Sequence, residues 1–202
     1  METTQPETQL QPEPMAEQPA NWKRFVLDIL ETLVLAVVLY FGINAVSARV
    51  RVDGFSMRPT LQDGEYILVN KLAYKTGEAH RGDIVVFIFP VDPTEDLIKR
   101  VIGLPGESVA VHSGVVSVNG VPLTEPYIAS PPAYDDEWIV PDGQLFVLGD
   151  NRNDSRDSHQ WGFLPIENVI GRAVLIYWPP KEWQVINHNA DKVVQQDSLS
   201  SK

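Results

Sequence analysis

The stretch around Ser56 has residue types that could carry nucleophilic chemistry. Ser56 follows Gly54, which allows a tight backbone approach, and precedes Pro59, which fixes φ and removes a donor. A serine hydroxyl is a weak nucleophile until a base lies against it. The stretch is either an ordinary Gly/Pro-flanked turn or a stiff turn that presents a nucleophile. The second interpretation requires a base elsewhere in the chain.

Lys99 is the residue that could act as this base. It follows Ile98 and is followed by Arg100 and the aliphatic residues Val101 and Ile102, so a strand here would carry a lysine among aliphatic neighbours. Burial disfavours the ammonium form and can lower a lysine pKa from ~10.4 toward neutrality, which turns the amine into a general base. Because most strand lysines point to water, only proximity to Ser56 would favour the catalytic interpretation.

A dense polar segment at residues 149–163 is the third stretch that could serve chemistry. It could be a solvated connection, a set of oxygen ligands for a divalent cation, or a hydrogen-bond network that orients a catalytic group. The segment lacks the glycine and the terminal glutamate of the helical calcium loop. We therefore expect neither a metal nor a cofactor.

The chain after residue 50 has the pattern of the β domain that would position these residues. Its β-branched and aromatic runs are bounded by Gly, Pro and Asn, and the pairs Ser113–Gly114 and Asn119–Gly120 are typical of hairpin turns. No segment here has a sustained helical period. We predict an all-β domain of several small antiparallel sheets in a coiled β fold. The predicted strands are Tyr66–Val69, Asp83–Phe89, Ser108–Val111, Val115–Val118, Leu145–Leu148 and Ala173–Trp178.

An apolar segment from Phe25 to Val46 precedes the β domain. About 22 residues at ~1.5 Å each span roughly 33 Å, enough to cross the hydrocarbon layer, so we predict one N-terminal transmembrane helix. A buried core helix is an alternative. A cleavable secretory signal is another, because Val46 and Ala48 are small residues two positions apart.

These patterns divide the chain into four parts. Residues 1–21 are rich in Gln, Glu, Thr and Pro and are predicted to be a disordered tail. Residues 22–47 are the predicted anchor helix, 48–180 the β-rich domain and 181–202 a polar C-terminal tail.

Composition excludes several classes of protein. The 202 residues carry a formal net charge of -11, which argues against a nucleic-acid-binding protein because such proteins neutralise phosphates with basic surfaces. The chain has no cysteine, which excludes disulfides, cysteine-ligated zinc sites and a thiol nucleophile.

Taken together and in order, these motifs resemble those of the bacterial type I signal peptidases, which are membrane-anchored serine proteases with a Ser–Lys dyad. The resemblance extends from about residue 22 to residue 178. It comprises the anchor helix and the segments GFSMRPTL, RGDIVVF, IKRVIGLPGE, VNG and GDNRNDSRDS, the last followed by WGF.

The resemblance implies a role for each residue of the dyad and its surroundings. Ser56 would attack the carbonyl, and Lys99 would take its proton and return it to the leaving amine. The hydroxyl of Ser155 would orient the lysine amine. The backbone N–H of Ser56 would stabilise the oxyanion. Some members have a serine where this chain has Gly54, so a second donor would be main chain at Gly54 or missing.

The resemblance also implies ion pairs that hold the polar segment to the sheet. Arg100 would pair with Asp150, and Asp157 would pair with its neighbours. The family usually has arginine where this chain has His159. The pairing of Asp157 is therefore in question and would become sensitive to pH.

The family cuts after small residues at the positions one and three before the bond, which implies shallow pockets beside the dyad. An extended leader peptide could pair its main chain with the segments before Ser56 and Lys99, as in strand addition. The residues predicted to line the pockets are Val50, Val52, Met57, Leu61, Leu97 and Ile98.

The implied partners are preproteins that carry signal peptides, together with membrane lipid, and no nucleic acid. The implied location is the bacterial cytoplasmic (inner) membrane, with a single pass, the tail 1–21 on the cytoplasmic side and the catalytic domain outside. Positive charges flank the apolar segment on both sides, so the positive-inside rule does not decide its orientation.

Two other functions remain open on the sequence alone. A Ser–Lys peptidase of the self-cleaving repressor type has a related β domain, but carries a DNA-binding helix pair where this chain has its apolar segment. A membrane-tethered β domain could also serve only as an interaction module, although an intact serine, lysine and polar segment speak against that. Self-cleavage after Ala48 is also open.

Overall fold

The computed structural model describes residues 22–188. The chain forms two compact units that divide between Phe41 and Gly42. The predicted disordered tail, residues 1–21, and the last part of the predicted polar tail, residues 189–202, lie outside the described residues.

The N-terminal element is helix α1, Trp22–Val46. It is 25 residues long, an 18-residue window within it has a mean hydropathy of 2.2, and none of its residues is buried, which disagrees with a core helix. Within residues 22–188 it is the one helix that is long and apolar enough to cross a membrane. Strand β1 starts at once after it, and Ala48 pairs with Val69 there, so the bond after Ala48 lies inside a paired strand.

Antiparallel strands make up most of the remaining chain, which confirms the predicted fold class. The strands are β1 Ser47–Arg51, β2 Tyr66–Asn70, β3 Ile84–Ile88, β4 Asp96–Gly103, β5 Ser108–His112, β6 Val115–Val118, β7 Val121–Pro122, β8 Asp136–Ile139, β9 Gln144–Leu148, β10 Leu164–Pro165, β11 Val169–Trp178 and β12 Gln184–Val185. Two one-turn helices, α2 Ala73–Thr76 and α3 Ser158–Trp161, and two 3-10 turns, Ile166–Asn168 and Pro180–Glu182, connect them.

Two sheets share these strands. The large sheet has the order β1-β2-β11-β3-β4-β9-β10, and β12 adds to β11. The small sheet has the order β7-β6-β5-β8. The expected hairpin turns are present: Ser113, Gly114, Asn119 and Gly120 all have positive φ, as two-residue turns between twisted strands require.

The core beneath the Ser56 turn is formed mainly by strands β2, β3 and β11. Met57 and Leu61 from the turn pack into one cluster with Ile67, Val86 and Ile176. Strand β3 supplies four consecutive buried residues, because both of its faces are covered. The turn is thus anchored on the middle of the large sheet.

The β domain continues beyond residue 180, where the sequence suggested a polar tail. Strand β12 pairs with β11, and Ile186 is 5% exposed. This segment was not recognised because a two-residue strand and a single buried aliphatic residue give no periodic signal.

Candidate active site

Ser56 and Lys99, 43 residues apart in sequence, lie in contact. The Nζ atom of Lys99 is 2.7 Å from the Oγ atom of Ser56. Lys99 lies on β4 opposite Val85 of β3, in the interior of the large sheet. Ser56 lies on a compact turn closed by hydrogen bonds from Arg58 N–H to the Phe55 carbonyl (3.1 Å) and from Leu61 N–H to the Met57 carbonyl (2.9 Å). The sheet supplies the amine and the turn supplies the hydroxyl.

The Lys99 amine is desolvated. The residue is 2% exposed, and burial lowers its pKa from 10.5 to about 8. The negative charges of Asp157 and Asp150 raise this pKa, whereas Arg156 lowers it, but burial is the largest effect. A neutral amine against a serine hydroxyl is the arrangement that a general base requires.

Ser155 lies at the site but does not make the expected bond to Lys99. Its hydroxyl is buried and has no hydrogen-bond partner among residues 22–188. The second hydrogen bond of the lysine amine goes to the carbonyl of Ile98 instead, at 3.0 Å. A hydroxyl that is buried without a partner is costly and calls for an explanation.

Gly149 allows the polar segment to approach Ser56 closely. A Cβ atom at this position would collide with the Ser155 hydroxyl and with the Ser56 carbonyl. The N–H of Asn151 donates to that carbonyl at 3.0 Å, and the Nδ2 of Asn151 donates to the Phe55 carbonyl at 3.2 Å. No local sequence pattern indicated Gly149, because only the fold brings the backbone of Ser56 against it.

The expectation that Gly54 donates to the oxyanion is not met. Its N–H already donates to the Oδ1 atom of Asp63 at 2.8 Å. Asp63 lies nine residues further along, and nothing in the sequence indicated that the turn folds back onto it. The N–H of Ser56 has no acceptor among the described residues and remains available.

The expected pair of Arg100 and Asp150 is present and fully buried. The guanidinium donates to both carboxylate oxygens, at 2.8 and 2.7 Å, and to the carbonyl of Gly82 at 2.9 Å. The ring of Tyr127 stacks 3.9 Å from the guanidinium carbon, and Thr60 donates to the same carboxylate. The pair connects β4, the turn that carries Ser56 and the polar segment.

Asp157 also finds partners on both of its oxygens. Oδ2 accepts the N–H of Gly149 at 2.8 Å, and Oδ1 lies 2.6 Å from the Nδ1 atom of His159. The imidazole stacks on the ring of Tyr134 with centroids 4.2 Å apart. The histidine therefore lies directly beside this carboxylate.

A second buried ion pair was not predicted. Arg152 donates to both carboxylate oxygens of Glu125, at 2.8 and 2.7 Å, and to the carbonyl of Gly149 at 3.1 Å. Arg152 belongs to the polar segment, so its sequence context indicated a residue of interest. No sequence feature indicated Glu125 as its partner, because Glu125 lies 27 residues earlier in the chain.

A cleft of about 270 Å³ opens beside the dyad. Five of the six predicted pocket residues line it, namely Val50, Val52, Met57, Leu97 and Ile98. Leu61 does not: its N–H closes the turn, and its side chain is completely buried in the core beneath it. Polar neighbours that were not predicted, including Arg51, Asp53 and Asp96, complete the lining.

Within residues 22–188 no group of three or more His, Asp or Glu side chains is arranged to hold a metal ion. The chemistry available at the cleft is that of a hydroxyl, an amine and a free backbone N–H. These are the parts needed for acyl transfer.

Comparisons with known proteins identify a family and several relatives that this chain is similar to. Residues 23–178 match the family model described as signal peptidase, peptidase S26. A probable signal peptidase I of Synechocystis sp. is 44% identical over 177 residues, which cover 82% of this chain and 79% of that protein. The signal peptidase I of Leptolyngbya laminosa is 44% identical over 194 residues, covering 88% and 92%. A crystal structure of a signal peptidase I from Enterococcus faecalis aligns with a TM-score of 0.44 and 34% identity, over 47% of this chain and 96% of that chain.

These matches favour the first of the three functions that the sequence left open. They agree with a serine endopeptidase, and the apolar helix α1 is consistent with membrane anchoring. Because the family model spans most of the chain and the relatives are 44% identical, the chain belongs to the signal peptidase family, peptidase S26.

Proposed function

We propose that this chain removes N-terminal signal peptides from exported preproteins, with Ser56 as the nucleophile and Lys99 as the general base. The contact of 2.7 Å between the Ser56 hydroxyl and the buried amine of Lys99 is the observation that carries the proposal. A lysine pKa of about 8 supports it, because a substantial fraction of the amine is then neutral near pH 8.

The reaction follows from this geometry. The neutral amine of Lys99 takes the proton of Ser56 as the serine Oγ attacks the carbonyl carbon of the scissile bond. The free N–H of Ser56 donates to the oxyanion that forms. The ammonium then gives its proton to the leaving amine, the acyl-enzyme forms, and Lys99 next activates a water that releases the signal peptide.

Ser155 has a role in this scheme that explains its unpartnered hydroxyl. As the ammonium of Lys99 turns from Ser56 toward the leaving amine, it loses its acceptor at the serine. The buried hydroxyl of Ser155, which lies with the Ser56 carbonyl against Gly149, would replace that acceptor by rotating about one bond. The carbonyl of Ile98 supplies a fixed acceptor throughout.

The cleft supports a preference for small residues at the positions one and three before the bond. Its volume of about 270 Å³ would be shared between both side chains and the peptide main chain. The apolar residues Val50, Val52, Met57, Leu97 and Ile98 would contact these side chains. The substrate main chain would pair with the segments that precede Ser56 and Lys99, as in strand addition.

The membrane arrangement is part of the same proposal. Residues 22–47 anchor the chain in the bacterial cytoplasmic membrane with a single pass, and residues from about 48 onward form the peptidase domain on the outer side. Helix α1 supports the anchor by its length and hydropathy. An anchored enzyme meets membrane-bound leader peptides at a raised local concentration.

The test is cleavage of a leader-bearing precursor by the purified full chain in detergent. The parent should release the mature protein, whereas Ser56→Ala and Lys99→Ala should not. Ser130→Ala changes an exposed serine and is the matched control. Cleavage by Ser56→Ala at the parental rate would overturn the proposal.

A further inference from the structure

The residues that follow the last long strand form a short segment packed onto the large sheet, which we call the C-terminal strap (residues 184–188). Val185 pairs with Leu175 of β11, and the N–H of Ile186 donates to the Val174 carbonyl at 3.0 Å. Strand β3 pairs with residues 169–172 of β11, and the strap pairs with the residues of β11 that follow. The strap thereby continues the sheet beyond the start of β3.

His188 closes the gap between the strap and β3. The β3–β11 ladder ends at the pair Val85 and Arg172, so the adjacent Ile84 and Ala173 make no bond to each other in it. The N–H of Ile84 donates to the Nδ1 atom of His188 at 3.2 Å, and the ring also hydrogen-bonds the backbone of Ala173. Because Ile84 and Ala173 are completely buried, loss of the ring would leave buried backbone groups unpaired.

Ile186 connects the strap to the nucleophile turn. Its side chain is 5% exposed and belongs to the core cluster that contains Met57 and Leu61 of the turn. Pro59, Thr60 and Ile186 also line one cleft of about 350 Å³. The polar segment hydrogen-bonds the backbone of the turn, and this cluster packs against the side chains of Met57 and Leu61.

We propose that Ile186, held in place by His188, is a positioning residue for Ser56. The inference rests on the proposed role of Ser56 as the nucleophile. Removal of the Ile186 side chain leaves space in the cluster that contains Met57 and Leu61, and the turn relaxes into it. The Oγ of Ser56 then shifts relative to the amine of Lys99, while the part of the cleft formed by Asp96 and Leu97 lies outside this cluster and keeps its place.

The experiment measures kcat and KM for a leader-bearing precursor with the full chain in detergent. Ile186→Ala should lower kcat about tenfold or more and change KM less than about twofold, because misplacing a catalytic group by a fraction of an ångström slows the chemical step. Ile186→Val should recover most of the activity. Val185→Ala is the matched control, since its side chain is 78% exposed one position earlier.

The role of His188 is tested by two substitutions. His188→Leu removes both hydrogen bonds and should lower kcat as Ile186→Ala does. His188→Gln should preserve kcat, because a glutamine amide also offers one acceptor and a donor. A chain that ends after His188 should match the full chain, whereas one that ends after Trp183 should not.

Melting temperatures are measured first, and rates are compared only where each variant is folded. Parental kcat in folded Ile186→Ala overturns the inference. If Ile186→Ala does not fold, parental kcat in folded His188→Leu overturns it equally. Activity of Ser56→Ala would refute the proposed nucleophile, a separate outcome.

Discussion

Replacing Lys99 by methionine should abolish activity and yet stabilise the protein at neutral pH. Methionine keeps most of the side-chain volume and removes the amine that burial makes costly to protonate. The lysine pKa falls from 10.5 to about 8 in the folded chain, and at ~1.36 kcal/mol per pKa unit this penalty is on the order of 3 kcal/mol. Because the side chain is 2% exposed, solvent screening reduces this figure little.

The variant also loses two hydrogen bonds, from the amine to Ser56 and to the Ile98 carbonyl. Each such bond contributes roughly 0.5–1.5 kcal/mol net, so we expect a gain of about 1–2 kcal/mol at pH 7. For a chain of this size that gain raises the melting temperature by about 2–8 °C.

The gain depends on pH with a defined sign. Between the folded pKa of about 8 and the unfolded value of ~10.4, the unfolded chain binds more protons, so the stability of the parent rises with pH across this window. Below pH 8 the penalty is fully present. The advantage of Lys99→Met should therefore be constant below about pH 8 and shrink as the pH approaches 10.

Denaturant unfolding of the parent and of Lys99→Met at several pH values between 6 and 10 measures this difference directly. Other titrating groups are common to both proteins and cancel. Ser56→Ala is the control, because it is inactive but keeps the amine and should show no such pH-dependent gain. A Lys99→Met variant no more stable than the parent at pH 7 would mean that the amine is charged and solvated, and the general base would lose its physical basis.

Three further predictions concern packing, charge and specificity. Gly149→Ala should lower kcat about 100-fold with the fold retained, because the added Cβ displaces the Ser56 carbonyl. The control is Gly42→Ala, whose added Cβ meets no neighbour within 4 Å and should leave the rate unchanged. Equal rates for the two variants would contradict the close approach of Gly149 to Ser56. Asp150→Asn should cost roughly 3–5 kcal/mol in denaturant unfolding, because it leaves the buried guanidinium of Arg100 without its counter-charge; a loss below about 1 kcal/mol would show that the pair is dispensable. Leucine or phenylalanine in place of alanine one position before the cleaved bond should slow processing about tenfold or more, since overfilling a packed pocket costs about 1–3 kcal/mol, and an unchanged rate would exclude the proposed substrate class.

The strands with clear periodicity could be predicted from the sequence, and so could the two residues, Ser56 and Lys99, that lie in contact. Runs such as Val115–Val118 between Gly-containing turns are local signals, and so they appear where expected. Strands of two residues, such as β10 and β12, have no period to detect, and β1 was not recognised because it follows directly on an apolar helix.

The contacts around the dyad were less predictable because they depend on groups far apart in the chain. The N–H of Gly54 donates a hydrogen bond to Asp63, and Arg152 donates to Glu125. No local sequence pattern indicates either contact, because the partners are brought together only by packing. Leu61 matched the apolar character of the pocket, but the turn directs it into the core. Residue type thus indicated which groups could react, and only the fold determined which of them meet.

The dependence of kcat/KM on pH tests the Ser56–Lys99 dyad most directly, because its acid limb reports the pKa of the base in the free enzyme. We expect activity to rise with pH through a midpoint of about 8, and His159→Gln should leave this midpoint unchanged. A midpoint near ~6.5 that disappears when a histidine is replaced would assign the base to an imidazole and contradict the account.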